Sequence, residues 1–290
     1  MKNSTQLERY NRLVKFLEEK FKSTIDVQDI EEVSFYSYRN INRIFLALQY
    51  ETIGQFIKRR RLEKTAEYLK FSTIEISDIA LDIGYGDVAA FSKAFKKHFG
   101  CNPSQFRKSF SLQQKITNEI LKNKSPNENS QKLNFEVEIL PTFKIVYLQY
   151  KGSYENIKEI EKTWKQLLKY AYKKKLLSEK TIVLGEVLDD DELSSSIHCR
   201  YNACIILNDN QSLRSEGLFI VKEIPSQKYA KFIHKGSHES CFETYNEIYA
   251  RWMLDVGLEF DDKPILEFYP NDDDITPKKD LITEIYIPIL

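Results

Sequence analysis

Tyr38, Arg39, Asn42 and Arg43 fall on one face of any helix that contains them. Their side chains carry the donors that read base edges, since an arginine pairs bidentately with guanine and an asparagine with adenine. Further along, Val88, Ala89, Ser92, Lys93 and Lys96 share a helix face in the same way, small or cationic residues of a size to enter a major groove. Between the two sets the run Lys58-Arg59-Arg60-Arg61 is placed to meet phosphates, with Lys58 and Arg59 at its head. Other chemistries find less support. Cys101, Cys199, Cys204 and Cys241 form no CxxC pair and no zinc-like spacing, and read as free buried thiols. His234 and His238 are four apart, but Gly236 between them calls for a turn, so no metal site is expected. Without a nucleophile–base pattern, neither enzyme activity nor a cofactor is expected.

The elements that must hold these residues are helices. In Glu75–Ser109, Ile76, Ile79, Ala80 and Ile83 make a short amphipathic helix, and Gly84 supplies the positive φ of a tight turn. Asp87 is placed to cap a second helix whose Phe91, Phe95 and Phe99 form one stripe; Gly100 ends it, and Asn102-Pro103 opens another through Phe106. The plan also occurs earlier. Val27, Ile30 and Val33 form a first helix, Ser37 is placed to cap a second, and Ile41, Phe45 and Leu48 point to the core. Ile53, Phe56, Ile57, Ala66 and Leu69 suit one long connecting helix. Two helix–turn–helix units follow, with reading helices that need to lie about 34 Å apart to enter successive major grooves.

The 290 residues suit two domains, and the balance of 43 basic against 43 acidic residues hides a gradient. Residues 1–112 carry 19 basic and 14 acidic side chains, residues 113–132 carry 4 and 2, and residues 133–290 carry 20 and 27, a basic front that fits a nucleic-acid partner. The stretch SLQQKITNEILKNKSPNENSQKLN around the middle segment cannot bury a face, which sets the domains at 1–112 and 133–290 with a linker between. There is no apolar run long enough for a membrane span and no leader, so a cytoplasmic protein is expected.

The back half writes one pattern twice. YKGSYE at Tyr150–Glu155 returns as HKGSHE at His234–Glu239, each after a strand and before a helix, and each followed by two more strands: IVLGEVL and RYNACIIL, then ILEFYP and LITEIYIPI. In each corner Gly lets the chain leave the strand and the next Ser is placed to cap the helix. Two β-α-β-β halves joined about a pseudo-twofold axis leave a cleft on that axis.

The front half, through RRRLEKTAEYL and IALDIGYGDVAAFSKAFKKHFGCNPSQFR, resembles the DNA-binding domain of the AraC/XylS transcription regulators over about 100 residues. That resemblance implies an all-α double helix–turn–helix domain, with base-reading positions at Arg39, Asn42 and Arg43 and at Val88, Ala89, Ser92 and Lys93. There are two departures from the family's pattern. Glu31 stands where a small Ala is usual, and Val88-Ala89 offer no hydrogen bonds, which leaves the second unit to read thymine methyls or backbone shape.

The back half resembles the GyrI-like, or bacterial effector-binding, domain, carried by the two KGS corners, Arg200–Cys204, the loop Pro270–Pro277 and LITEIYIPI; Asn202 stands where that family commonly has Asp. The resemblance implies an α+β domain with a pocket for small, often cationic aromatic molecules, and a counter-charge in the last strand that falls here on Glu284. Candidates for the wall are Tyr147, Trp164, Tyr201, Tyr249, Trp252 and Tyr286. In TEIYIPI, alternation puts Glu284, Tyr286 and Pro288 on one face and Ile285, Ile287 and Ile289 on the other. Together the two resemblances imply a ligand-responsive regulator whose partners are promoter DNA, a small-molecule effector and RNA polymerase. Two alternatives stay open for the back half: a protein-binding module, or a weak hydrolase with Glu186 and Glu284 activating water.

Overall fold

The computed structural model describes residues 6–111, 134–190, 198–208, 210–249, 260–261, 263–271 and 275–290. The chain divides into two units, Met1–Gln113 and Gln114–Leu290, each with its own core.

The front unit is helical. Its elements are α1 (Gln6–Lys20), α2 (Val27–Ser34), α3 (Tyr38–Gln49), α4 (Ile53–Phe71), α5 (Ile76–Asp82), α6 (Val88–Phe99) and α7 (residues 103–111). Leu13 and Leu17 of α1 pack on Ile30, Ile41, Phe45, Ile53 and Phe56 to form the core of the first helix pair. Around the second pair Ile79, Ala80, Ile83, Phe91 and Phe95 are buried, and Phe95 meets Phe106 of α7 edge-on at 5.4 Å. Leu48, expected in the core, is 51% exposed: the last turn of α3 runs past the apolar cluster that Ile41 and Phe45 join.

Caps fix where these helices begin. Asp87 accepts from the Ala89 and Ala90 N–H groups at 3.0 and 2.9 Å. Ser37 precedes α3 but makes no side-chain cap; Glu31 of α2 does that work, its Oε1 accepting the Tyr38 N–H at 2.6 Å. The carboxylate that departs from the family's small residue therefore ties the supporting helix to the start of the reading helix and meets the positive end of its dipole. Glu31→Ala is expected to destabilise the front unit by about 1 kcal/mol, and Ser37→Ala by much less, in urea unfolding followed by helical circular dichroism.

The back unit holds one eight-stranded antiparallel sheet: β1 (Glu136–Leu140), β2 (Phe143–Lys151), β3 (Val183–Val187), β4 (Arg200–Leu207), β5 (Ile220–Ile224), β6 (Gln227–Lys235), β7 (Ile265–Phe268) and β8 (Ile282–Pro288). The spatial order is β1-β6-β8-β7-β3-β4-β2-β5, and α8 (Ile157–Lys173) and α9 (Cys241–Glu247) follow the two KGS corners. The expected β-α-β-β repeat is one strand short. Pro141 and Pro225, which cannot donate to a ladder, turn the chain after a first short strand, and that strand pairs with the opposite half: β1 with β6, β5 with β2. Thr142 and Ser226, equivalent residues just after the two prolines, meet where the strands cross, the Ser226 N–H donating to Thr142 Oγ1 at 3.0 Å. Each half thus lends an edge strand to the other.

The two corners close alike. Gly152 and Gly236 adopt φ 150° and 138°, Tyr150 donates its hydroxyl to the Ser153 carbonyl at 3.0 Å, and His234 Nε2 reaches the Ser237 carbonyl at 3.1 Å. A phenol and an imidazole serve the same turn. The serines themselves do not cap the helices: Ser153 Oγ accepts the Glu155 N–H within the turn, and Ser237 makes no side-chain cap.

Side chains alternate between two faces. Val146, Leu148 and Ala203 pack against Leu167 of α8, and Ala230, Phe232, Ile285 and Ile287 pack with Ile248 and Tyr245. The other face carries Ile145, Leu184, Cys204, Tyr229, Leu266 and Tyr286, and the curl of the sheet buries it. Among the described residues, no helix is long and apolar enough to cross a membrane.

Candidate DNA-reading faces and ligand site

On α3, Arg39 and Arg43 are exposed, and Tyr38 is half-buried against the core. Asn42 is half-buried too, and its Oδ1 accepts the Ile53 N–H at the start of α4 at 3.0 Å. Its amide is thus half committed to the fold, whereas bidentate pairing with adenine needs oxygen and nitrogen together. On α6, Val88, Ala89, Lys93 and Lys96 are exposed and Ser92 is half-buried. Among the described residues, no hydrogen bond or ion pair engages Arg39, Arg43, Lys93 or Lys96.

The basic run on α4 divides. Lys58 is exposed beside a groove of about 330 Å³ that Tyr50, Gln55 and Lys97 also line. Arg59 corrects the expectation of a phosphate contact: it is 9% exposed, its Nε and Nη2 on Glu51 and its Nη1 on Glu63 at 2.9 Å. It lies three residues after Phe56 on the inward face of α4, where a guanidinium needs carboxylates rather than solvent. Arg60 pairs with Glu18 and Glu63, and Arg61 binds the carbonyls of Phe21, Ser23 and Gly84 at 2.6, 2.7 and 3.1 Å. Gly84, at φ 81°, lets that carbonyl approach.

In the back unit the strand order reads alike from either edge, so a local twofold axis passes between β3 and β7. Gly185 faces Glu267 across that pair. The Glu267 carboxylate accepts the Tyr245 hydroxyl on Oε1 and the Tyr269 hydroxyl on Oε2, both at 2.6 Å. Tyr269 and Tyr201 share a hydrogen bond at 2.9 Å, the Trp164 indole N–H donates to the Tyr201 hydroxyl at 3.2 Å, and Tyr249 stacks on Tyr245. A Cβ on residue 185 would overlap the Tyr201 and Tyr269 hydroxyls, so glycine makes their meeting possible. Burial, then the nearby Glu267 charge, push the Tyr245 and Tyr269 hydroxyls well above their ordinary pKa, which keeps both as neutral donors. Among the described residues, no cationic side chain pairs with Glu267.

Residues 133–290 match the family model of the GyrI-like small molecule binding domain, and residues 32–109 match a helix-turn-helix domain model. The chain belongs to the GyrI-like family. Its front unit is an AraC-type helix–turn–helix domain, and its class is that of a DNA-binding transcription regulator. The probable transcription factor PqrA of Proteus vulgaris is 35% identical over 101 residues, 34% of this chain and 83% of that protein. The putative HTH-type transcriptional regulator YkgA of Escherichia coli is 33% identical over 96 residues, 33% of this chain, which spans only 40% of the relative. Among solved structures, EcmrR in a complex with DNA is 17% identical at a TM-score of 0.46, covering 96% of this chain and 98% of that one.

Within the GyrI-like module three of the predicted wall residues, Trp164, Tyr201 and Tyr249, stand on the helix-bearing face with Glu267. Tyr147, Tyr286 and Glu284 do not, because strand alternation turns them to the curled face. There Lys222 lies over the Tyr147 ring, and Lys231 lies over Tyr286 and pairs with Glu284 at 2.9 Å. Trp252 lies outside the described residues. Glu186, weighed with Glu284 as a water-activating pair, binds Lys222 at 2.7 Å and accepts Asn202 Nδ2 at 2.6 Å, so each carboxylate is held by its own lysine. Glu267, Tyr269 and Tyr245 are not among the residues that the sequence pattern singles out. The signal was a Glu-x-Tyr alternation in a strand opposite a Gly, which sequence alone does not rank above TEIYIPI.

Proposed function

We propose that this GyrI-like regulator grips a duplex through α3 and α6 and takes a small aromatic cation against Glu267. The observation that carries the ligand reading is the Glu267 carboxylate itself. Both its described hydrogen bonds come from neutral phenols, while Glu186, Glu284 and Asp189 each have a lysine or arginine in contact. A carboxylate among aromatic rings favours a cation as its partner, and tyrosine and tryptophan faces add quadrupole attraction. The reading extends to RNA polymerase as the partner on which such a regulator acts.

On the DNA side, Arg39 and Arg43 carry the base-specific donors, while Val88 and Ala89 offer methyl contacts to thymine. Arg43→Ala is expected to cost about 1–3 kcal/mol at its base position and to relax preference there, whereas Lys58→Ala weakens all duplexes alike and lowers the salt slope by about 1. Selection of bound duplexes from a random pool, followed by titration at several salt concentrations, reads both effects. Affinity that does not fall with salt would count against the DNA reading.

A further inference from the structure

We propose that the outward face of α8 in the GyrI-like module is a second duplex-contacting surface, an inference that rests on the DNA-binding reading above. Lys158, Lys162, Lys165, Lys169 and Lys173 are all exposed. At about 100° per residue they fall within an arc of about 80°, opposite the buried Thr163, Leu167, Tyr170 and Ala171. The stripe is about 22 Å long, roughly two thirds of a turn of B-DNA. Glu159 and Glu161 flank it and pair with Lys162 and Lys165 at 3.2 and 4.0 Å, but all four side chains are at least half exposed, so phosphates displace these contacts at little cost.

The stripe stands out against its own module. Outside residues 157–175 the segment 133–290 carries 13 basic and 25 acidic side chains, a surface that a duplex repels. A row of five lysines on a 17-residue helix gives that module one face that can lie along a phosphate backbone. Covalent attachment to a unit that already holds DNA makes the second contact intramolecular, so weak lysine–phosphate pairs suffice. The effector domain then lies on flanking duplex, and operator recognition extends beyond the bases that α3 and α6 reach.

The test uses the full chain and duplexes of random sequence, one of about 20 base pairs, room for the front unit alone, and one of about 60. Affinity is measured against salt for wild type, for K165Q/K169Q/K173Q on the stripe and for K180Q/K235Q/K279Q off it. Glutamine matches lysine in helix propensity, so the stripe variant keeps its fold, which circular dichroism checks. On the long duplex the stripe variant is expected to lose about 2 to 3 from the slope of log affinity against log salt, the control nothing. On the short duplex all three proteins behave alike. A long-duplex slope equal to wild type, or an equal loss in the control, overturns the proposal. So does a change in the oligomeric mass of the stripe variant without DNA, which would assign the lysines to a second copy of the chain. If wild type fails to bind even the short duplex, the DNA-binding reading itself falls and this inference falls with it.

Discussion

Glu267→Gln is expected to weaken binding of an aromatic cation such as tetraphenylphosphonium by roughly tenfold to a hundredfold, as fits an interaction with a charged group worth about 1.5–3 kcal/mol. The substitution keeps the shape of the side chain and removes the charge; the amide oxygen still accepts one of the two hydroxyls, and the amide NH2 donates to the other phenol oxygen. Glu284→Gln is the control, since that carboxylate is bound to Lys231 on the curled face and should leave affinity within about twofold. Quenching of tryptophan fluorescence supplies the readout, because Trp164 donates to Tyr201 within the site. A neutral compound of similar shape should bind wild type and Glu267→Gln equally. If the cation does so as well, Glu267 is not its counter-charge.

Arg59→Met is expected to destabilise the front unit by about 3–5 kcal/mol, because it takes the shared guanidinium from the buried Glu51 and Glu63 and leaves Glu63 with Arg60. Both tryptophans, Trp164 and Trp252, lie in the back half, so their fluorescence follows that unit and helical circular dichroism reports the front. The variant should show an early loss of helix while the tryptophan transition stays put. Replacing Glu63 by Leu in the same chain should recover part of the loss, since it removes a buried carboxylate that Arg60, shared with Glu18, only partly neutralises. Lys58→Ala, one residue away and exposed, should change stability by no more than about 0.5 kcal/mol. Were Arg59 a phosphate contact, its loss would instead spare the fold and lower only the salt slope.

These two residues show how far pattern reading reaches. Arg59 sits in an unbroken basic run, and a run of charges in a helix mixes faces: position 58 looks outward, while position 59 continues the stripe of Phe56 and Glu63. The stripe was visible, but its partner Glu51 precedes the helix, so the ion cluster becomes visible only once α4 is packed. Asn42 is a similar case, a base-reading residue by position whose oxygen the chain spends on the start of the next helix. Glu284 lies in a strand whose alternation is legible in the sequence. Alternation defined its face correctly, yet alternation cannot say which face meets the helices.

Local chemistry needs only neighbours a few residues apart, and that much the sequence itself determined: the six front helices α2 to α7 in the order expected, though not α1 before them, Asp87 as a cap, Gly84 and Gly100 at positive φ, and a corner repeated in two halves. Tertiary structure decided what depends on partners far along the chain. It sent β1 and β5 to the opposite halves after their prolines, set Gly185 against Glu267, and brought Trp164, Tyr201, Tyr245 and Tyr269 around one carboxylate. The physical reason is that a side chain's role follows from what desolvates it and what neutralises it, and those neighbours include Tyr245 of α9 for Glu267 and Lys231 of β6 for Glu284.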